Sequence, residues 1–221
     1  IDVLDKDNIF RFSRAYQNTL IDSISDQNVK KIAKWYFDKC SLGYEIFVEK
    51  HYGKDIIIEK SNSINMKINF DNDFIGNTNV YEVKNYRFAI IDGFLESVGE
   101  IFHLLHFASK TKEPYIIFCF GMSDQVKDTI IKNNAQGRTE IIPISISFDE
   151  DSVNILNDIA VVHKNDVISS LKGQTISQEL RKDLPVGENI KIYKNGSIMI
   201  KPIANDIDLM RHKNYLRNKI E

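Results

Sequence analysis

Between Tyr86 and Ser147 the chain alternates strand-like and helix-like segments without interruption, and this run constrains the fold more than any other feature. Residues 86–91 read as a strand ending at Asp92-Gly93. A helical pattern over 98–110 follows, then an apolar strand over 115–120, a second helix over 124–136 and a strand over 140–147. Strict β-α-β-α-β order predicts a parallel sheet, because right-handed crossovers lay successive helices on one face. Local chemistry supports each boundary: Pro114 and Gly121 bracket the middle strand, Ser123 is placed to cap the second helix, and Gly137 stops it.

The flanks are less regular. Val29, Ile32, Ala33, Tyr36, Phe37 and Cys40 recur at helical spacing, with Asp26 or Asn28 available as a cap and Gly43 as a stop. A helical turn is expected at 46–50 and a buried strand over 55–59, where Ile56-Ile57-Ile58 run together. Partial alternation from Ile64 to Phe74, carried by Ile64, Met66, Ile68 and Phe70, suggests a half-exposed strand, with turns at Asp71-Asn72-Asp73 and Gly76-Asn77. Downstream come a helix over 153–162 and a short strand over 166–169. Residues 190–193 and 197–200 then flank Lys194-Asn195-Gly196, a strong hairpin signal because Asn-Gly tolerates positive φ. The tail, 206–220, reads as a helix solvated on most faces. With 221 residues and 43% hydrophobic content, one main domain plus a small appendage is expected.

Charge and composition exclude several function classes. A formal net charge of −2, with basic residues scattered along the chain, gives no basic face for nucleic acid. No apolar run approaches the roughly 20 residues of a membrane span, so a cytoplasmic protein is expected. The absence of an initial Met suggests a processed or excised segment. Cys40 and Cys119 read as reduced structural thiols.

No sequence signature of catalysis stands out. Neither a phosphate-cradling Gly-rich loop nor a nucleophile elbow occurs, and no cofactor is expected. His103 and His106 lack the zinc-protease spacing and read as surface histidines. Asp149-Glu150-Asp151 reads as a helix entry, where carboxylates favour the positive end of the dipole. Asn195-Gly196-Ser197 matches a glycosylation sequon but is explained by the turn.

Taken as a unit, residues 79–169 resemble the core of the apical, polypeptide-binding domain of a group I, GroEL-like chaperonin. The resemblance rests on Arg87-Phe88-Ala89-Ile90-Ile91-Asp92-Gly93, the helix over 98–110, Lys112-Glu113-Pro114 and Tyr115-Ile116-Ile117-Phe118. The capped helix ending at Gly137, Ile155-Leu156-Asn157-Asp158-Ile159-Ala160 and Asp166-Val167-Ile168-Ser169 continue it. Gly53-Lys54 and the strand after it look like the segment leading into that domain. More weakly, 25–40, 190–203 and 211–221 resemble the flanking intermediate domain. The implied organisation is an intermediate-like segment over 1–50, an apical-like domain over 51–187 and a returning hairpin and helix over 188–221, both ends together forming the appendage. The implied fold is α/β, apical-domain-like, with two groove helices on one side of the sheet. Both equatorial halves, with the family's phosphate loop, have no counterpart here, so ATP hydrolysis is not expected of these residues.

The resemblance implies a groove between the two central helices for unfolded or extended polypeptide and for a co-chaperonin's mobile loop. By position it uses Phe102, Leu105, His106 and Ser109 on the first helix, and Lys127, Ile131, Lys132 and Asn133 on the second. Lys127 and Lys132 stand where the family is usually apolar, which would favour segments carrying carboxylates. The family's Pro-Gly-Phe-Gly-Asp-Arg-Arg segment is replaced by Pro143-Ile144-Ser145-Ile146-Ser147-Phe148, and its aromatic loop is shortened to 70–80. Helical spacing also permits Phe102 and Leu105 to be core, although Ile101, Leu104 and Ala108 already supply a core stripe. Two other functions remain open at this level. One is a divergent structural or adaptor protein, viral or plasmid-borne, that keeps only the fold; the other is an enzyme with a pocket of converging polar groups.

Overall fold

The computed structural model describes residues 20–39, 61–68, 71–76, 78–146 and 152–220. The expected strand over 55–59, the helical turn at 46–50, Cys40 and the carboxylates at 149–151 lie outside these residues. The chain divides into two compact units, Ile1–Ser61 and Asn62–Glu221. In the first, helix α1 spans Gln27–Lys39. Its start is set by Asp26, whose Oδ1 accepts from the backbone N–H groups of Asn28 (2.8 Å) and Val29 (3.1 Å), satisfying two donors that an uncapped first turn would leave to water.

Among the described residues, the second unit is a mixed α/β structure with a main seven-stranded sheet and a separate two-stranded one. Strands β1 (Ile64–Lys67) and β2 (Val80–Asp92) come first, then a two-residue strand β3 (Phe94–Leu95) and helix α2 (Val98–Thr111). Next are β4 (Pro114–Cys119), a two-residue β5 (Gly121–Met122), α3 (Asp124–Ala135), β6 (Glu140–Ser145) and α4 (Ser152–His163). The chain ends with β7 (Ile168–Ser169), a short α5 (Ile176–Glu179), the hairpin β8 (Val186–Tyr193) and β9 (Ser197–Ile200), and α6 (Asp206–Ile220). The main sheet runs β1-β9-β8-β2-β4-β6, and β7 pairs the last two residues of β2. β2, β4 and β6 are parallel, in register from Arg87↔Tyr115 and from Pro114↔Glu140, as the β-α-β-α-β reading requires.

Because strand side chains alternate between faces, the near-continuous apolar runs of β2, β4 and β6 feed two cores. Ala89, Ile91, Tyr115, Ile117, Cys119 and Ile141 pack with Ile101, Leu104 and Ala108 of α2 and Val126 and Ile130 of α3. Tyr86, Phe88, Ile90, Ile116, Phe118, Ile142 and Ile144 pack with Leu156, Ile159 and Ala160 of α4. The reversal of strand order explains the split: β2-to-β4-to-β6 crossovers travel one way across the sheet, and the crossover through α4 returns to β7. A constant right-handed sense therefore puts α4 on the opposite face.

One expectation is corrected. The 190–200 hairpin, assigned to an appendage, belongs to the main sheet: β8 runs antiparallel to β2 from Val80↔Tyr193 to Arg87↔Val186. Ile190, Ile192, Ile198 and Ile200 all bury in the α4-side core, so the alternation that made the hairpin legible also ties it to the central strands. The expected solvated tail helix is observed: none of the described side chains of α6 is buried.

The α4-side core holds a polar pair. His163 is 2% exposed; its Nδ1 lies 2.9 Å from the Ile159 carbonyl and its Nε2 2.7 Å from the Tyr86 hydroxyl. A carbonyl can only accept, so Nδ1 carries the proton and Nε2 accepts from tyrosine. Phe88 and Phe118 flank the imidazole at 4.4 and 5.4 Å between centroids. Burial pushes the pKa of His163 down to about 4, against the smaller opposing effect of the Ile159 hydrogen bond. Cys119, in the opposite core, is a free thiol raised to about 12 by burial, which leaves it inert.

Candidate functional site

The two helices on the β2–β4–β6 face are individually well terminated. At the start of α2 the Glu100 carboxylate accepts from the backbone N–H groups of Glu96 (2.8 Å) and Ser97 (3.1 Å). At its end Lys112 takes the left-handed conformation (φ 58°), and its ammonium donates to the carbonyls of Gly137 and Arg138, each at 3.0 Å. That lysine ties the last turn of α2 to the loop leaving α3. α3 starts at Ser123, whose hydroxyl accepts from Val126 N–H, and it is fixed to β6 by Asn134, which bonds both the N–H (3.1 Å) and the carbonyl (2.7 Å) of Ile141.

On this scaffold the expected residues separate. Ile101, Leu104 and Ala108 form the buried stripe of α2. Phe102 is 59% exposed, which removes it from the core. Leu105 is half-buried and packs against the α2/α3-side core, while His106 and Ser109 are exposed. Ser109 donates its hydroxyl to the His106 carbonyl at 2.8 Å, a bond within the helix. On α3, Ile131 is half-buried, Lys132 is exposed, and Asn133 turns its amide back to the Thr129 carbonyl (2.8 Å).

Lys127 differs most from its expected role as a groove cation. Its ammonium is in ionic contact with Asp71 and, at 2.9 Å, with Asp73, both from the turn preceding β2. Hydrogen bonds to Asp71 and Asp73 push the lysine pKa up. Partial burial works against ionisation of Asp71, but hydrogen bonds from Lys127 and the Asp73 backbone outweigh it and hold the carboxyl below its ordinary range. Asp71 and Asp73 went unassigned at the sequence level because a turn of this composition is explained locally, and nothing local points to a lysine so far along the chain.

His103 and His106 do not converge on a metal. Arg181 donates to His103 Nε2 at 3.2 Å, and among the described residues no group of three or more His, Cys, Asp or Glu is placed to hold an ion. A cavity of about 230 Å³ lies beside Arg87. That guanidinium is already engaged by Glu113 (3.1 Å), Asp183 (2.9 Å) and the Leu184 carbonyl (2.6 Å), so it joins β2, the start of β4 and the 180–184 segment. Among the described residues no helix is long and apolar enough to cross a membrane. No model of a known protein family matches the chain. What Phe102, Leu105, Ile131 and Lys132 offer chemically is non-covalent: an aromatic ring in water, a half-buried leucine and isoleucine, and an exposed ammonium.

Proposed function

We propose that this protein binds unfolded or extended polypeptide segments across the solvent side of α2 and α3, as the chaperonin apical-domain resemblance implies, without hydrolysing ATP through these residues. The observation that carries this reading is Phe102, 59% exposed beside a complete buried stripe on the same helix. The core has no need of that side chain, whereas covering it with a ligand gains about 1.5–3 kcal/mol. Leu105 and Ile131, half-covered, supply further apolar surface, and Lys132 supplies a cation at its border.

The test is a panel of extended apolar peptides measured by fluorescence anisotropy. Phe102→Ser is expected to weaken binding by about ten- to a hundredfold. Failure of the wild-type chain to bind any peptide, or binding unaffected by Phe102→Ser, overturns the proposal. An adaptor with one fixed partner is the competing function, and it differs in the same panel by taking one sequence and refusing unrelated segments of equal hydrophobicity.

A further inference from the structure

The chaperonin resemblance gives Lys127 to the carboxylates of a bound segment, yet two carboxylates of the chain already hold it. We propose that the Asp71–Asp73 turn acts as an internal pseudo-ligand of this surface. It occupies one of the two cationic positions of α3, so that the resting protein favours neutral apolar segments and takes acidic-apolar ones better once they displace Asp71 and Asp73. This inference rests on the polypeptide-binding function proposed above.

Three features make the turn a competitor. It is preshaped: Asp73 N–H donates to Asp71 Oδ1 at 3.1 Å, and Phe74 N–H to the Asp71 carbonyl at 3.3 Å. It is also anchored independently of Lys127, because Ile75 is buried and Phe74 packs against both cores, so a carboxylate can leave the ammonium without the turn unravelling. Lys127 for its part sits between Val126 and Ile130, both wholly buried, which keeps its stem on α3 when partners exchange.

Electrostatics sets the direction. Two carboxylates on one ammonium leave a local charge of −1, which repels an incoming acidic side chain. All three side chains are partly in water, with relative exposures of 29% for Lys127, 36% for Asp71 and 64% for Asp73. Ion pairs that exposed are weak enough to exchange with a ligand's carboxylates.

The experiment uses two peptides with one apolar pattern, the first carrying Asp and Glu and the second Ser and Gln at the same positions, against the full chain at low ionic strength. Asp71→Asn with Asp73→Asn is expected to bind the acidic peptide about three- to tenfold tighter than wild type and to leave the neutral peptide within about twofold. Adding Lys127→Met should erase the gain, as should about 0.5 M salt, which shortens the screening length to a few ångströms. Asp73→Asn alone, which keeps Asp71 on the lysine and covers the case of a misfolded double variant, should show a smaller gain of the same sign. If wild type binds the neutral peptide and neither variant gains for the acidic one, the pseudo-ligand is overturned while peptide binding stands. If wild type binds neither peptide, the proposed function falls and the pseudo-ligand with it.

Discussion

The two faces of the sheet are made from alternate residues of the same strands, and they treat large side chains in opposite ways. On the α4 face Tyr86, Phe88 and Phe118 are each at most 1% exposed, and the polar group among them, His163, has both ring nitrogens in hydrogen bonds. Each of these buried groups is accounted for by stability. On the other face α2 and α3 bury Ile101, Leu104, Ala108, Val126 and Ile130 equally well, yet Phe102 stands in water one residue from the buried stripe. Stability explains the first arrangement and does not require the second, which is the basis on which a binding function is proposed for α2 and α3.

The contrast is breakable, and the largest effect is expected where the α4 face is densest. Phe118→Ala should cost about 3–5 kcal/mol in urea denaturation, from lost transfer energy and the cavity left beside His163 and Ile116. A loss below about 1 kcal/mol would mean that this face is not close-packed.

Acid should act on the same face. A histidine held neutral at about 4 by burial contributes stability that is fully present above its unfolded value near 6.5 and is lost progressively as pH falls from there toward 4, to a total of about 3 kcal/mol. His163→Phe should flatten that component of the pH dependence while leaving the contribution of surface carboxylates. Denaturation curves at pH 7, 5.5 and 4.5 for both chains make the comparison.

Smaller again is the effect at the strand pairing behind that core. Gly187 lies directly across from Tyr86, and a Cβ built there comes within 2.3 Å of the tyrosine ring. Gly187→Ala should therefore cost about 1–3 kcal/mol by overpacking and shift the Tyr86–His163 bond, seen as an altered His163 imidazole resonance.

The smallest stability effect is expected at the residue given the largest functional one. Phe102→Ser should move the denaturation midpoint by no more than about 0.5 kcal/mol, since it removes little buried area. A loss of several kcal/mol would place Phe102 in the core and erase the difference between the faces.

Much of the second unit was legible because its determinants are local or periodic. The β2-α2-β4-α3-β6 order, the cap at Ser123 and the Asn195-Gly196 turn are each specified within a few residues. The Ile101, Leu104 and Ala108 stripe was readable too, whereas spacing alone left Phe102 open between core and groove until its exposure was seen. The carbonyl partner of His163 lies one helical turn away, but the tyrosine that completes its environment comes from the far side of the unit. The hairpin was recognised by its turn and misassigned by its location, since a turn states which strands pair with each other and nothing about their next neighbour.

Apolar period and turn chemistry in the sequence therefore determined the elements, their order and the parallel pairing of the central strands, because those depend on side-chain spacing and backbone preference over short separations. The tertiary structure decided that β8 and β9 extend the sheet from β2, that His163 is buried and neutral, and that Lys127 belongs to Asp71 and Asp73. Each of those outcomes depends on desolvation or on Coulomb attraction between groups that only folding brings within about 4 Å, a range at which sequence separation carries no weight.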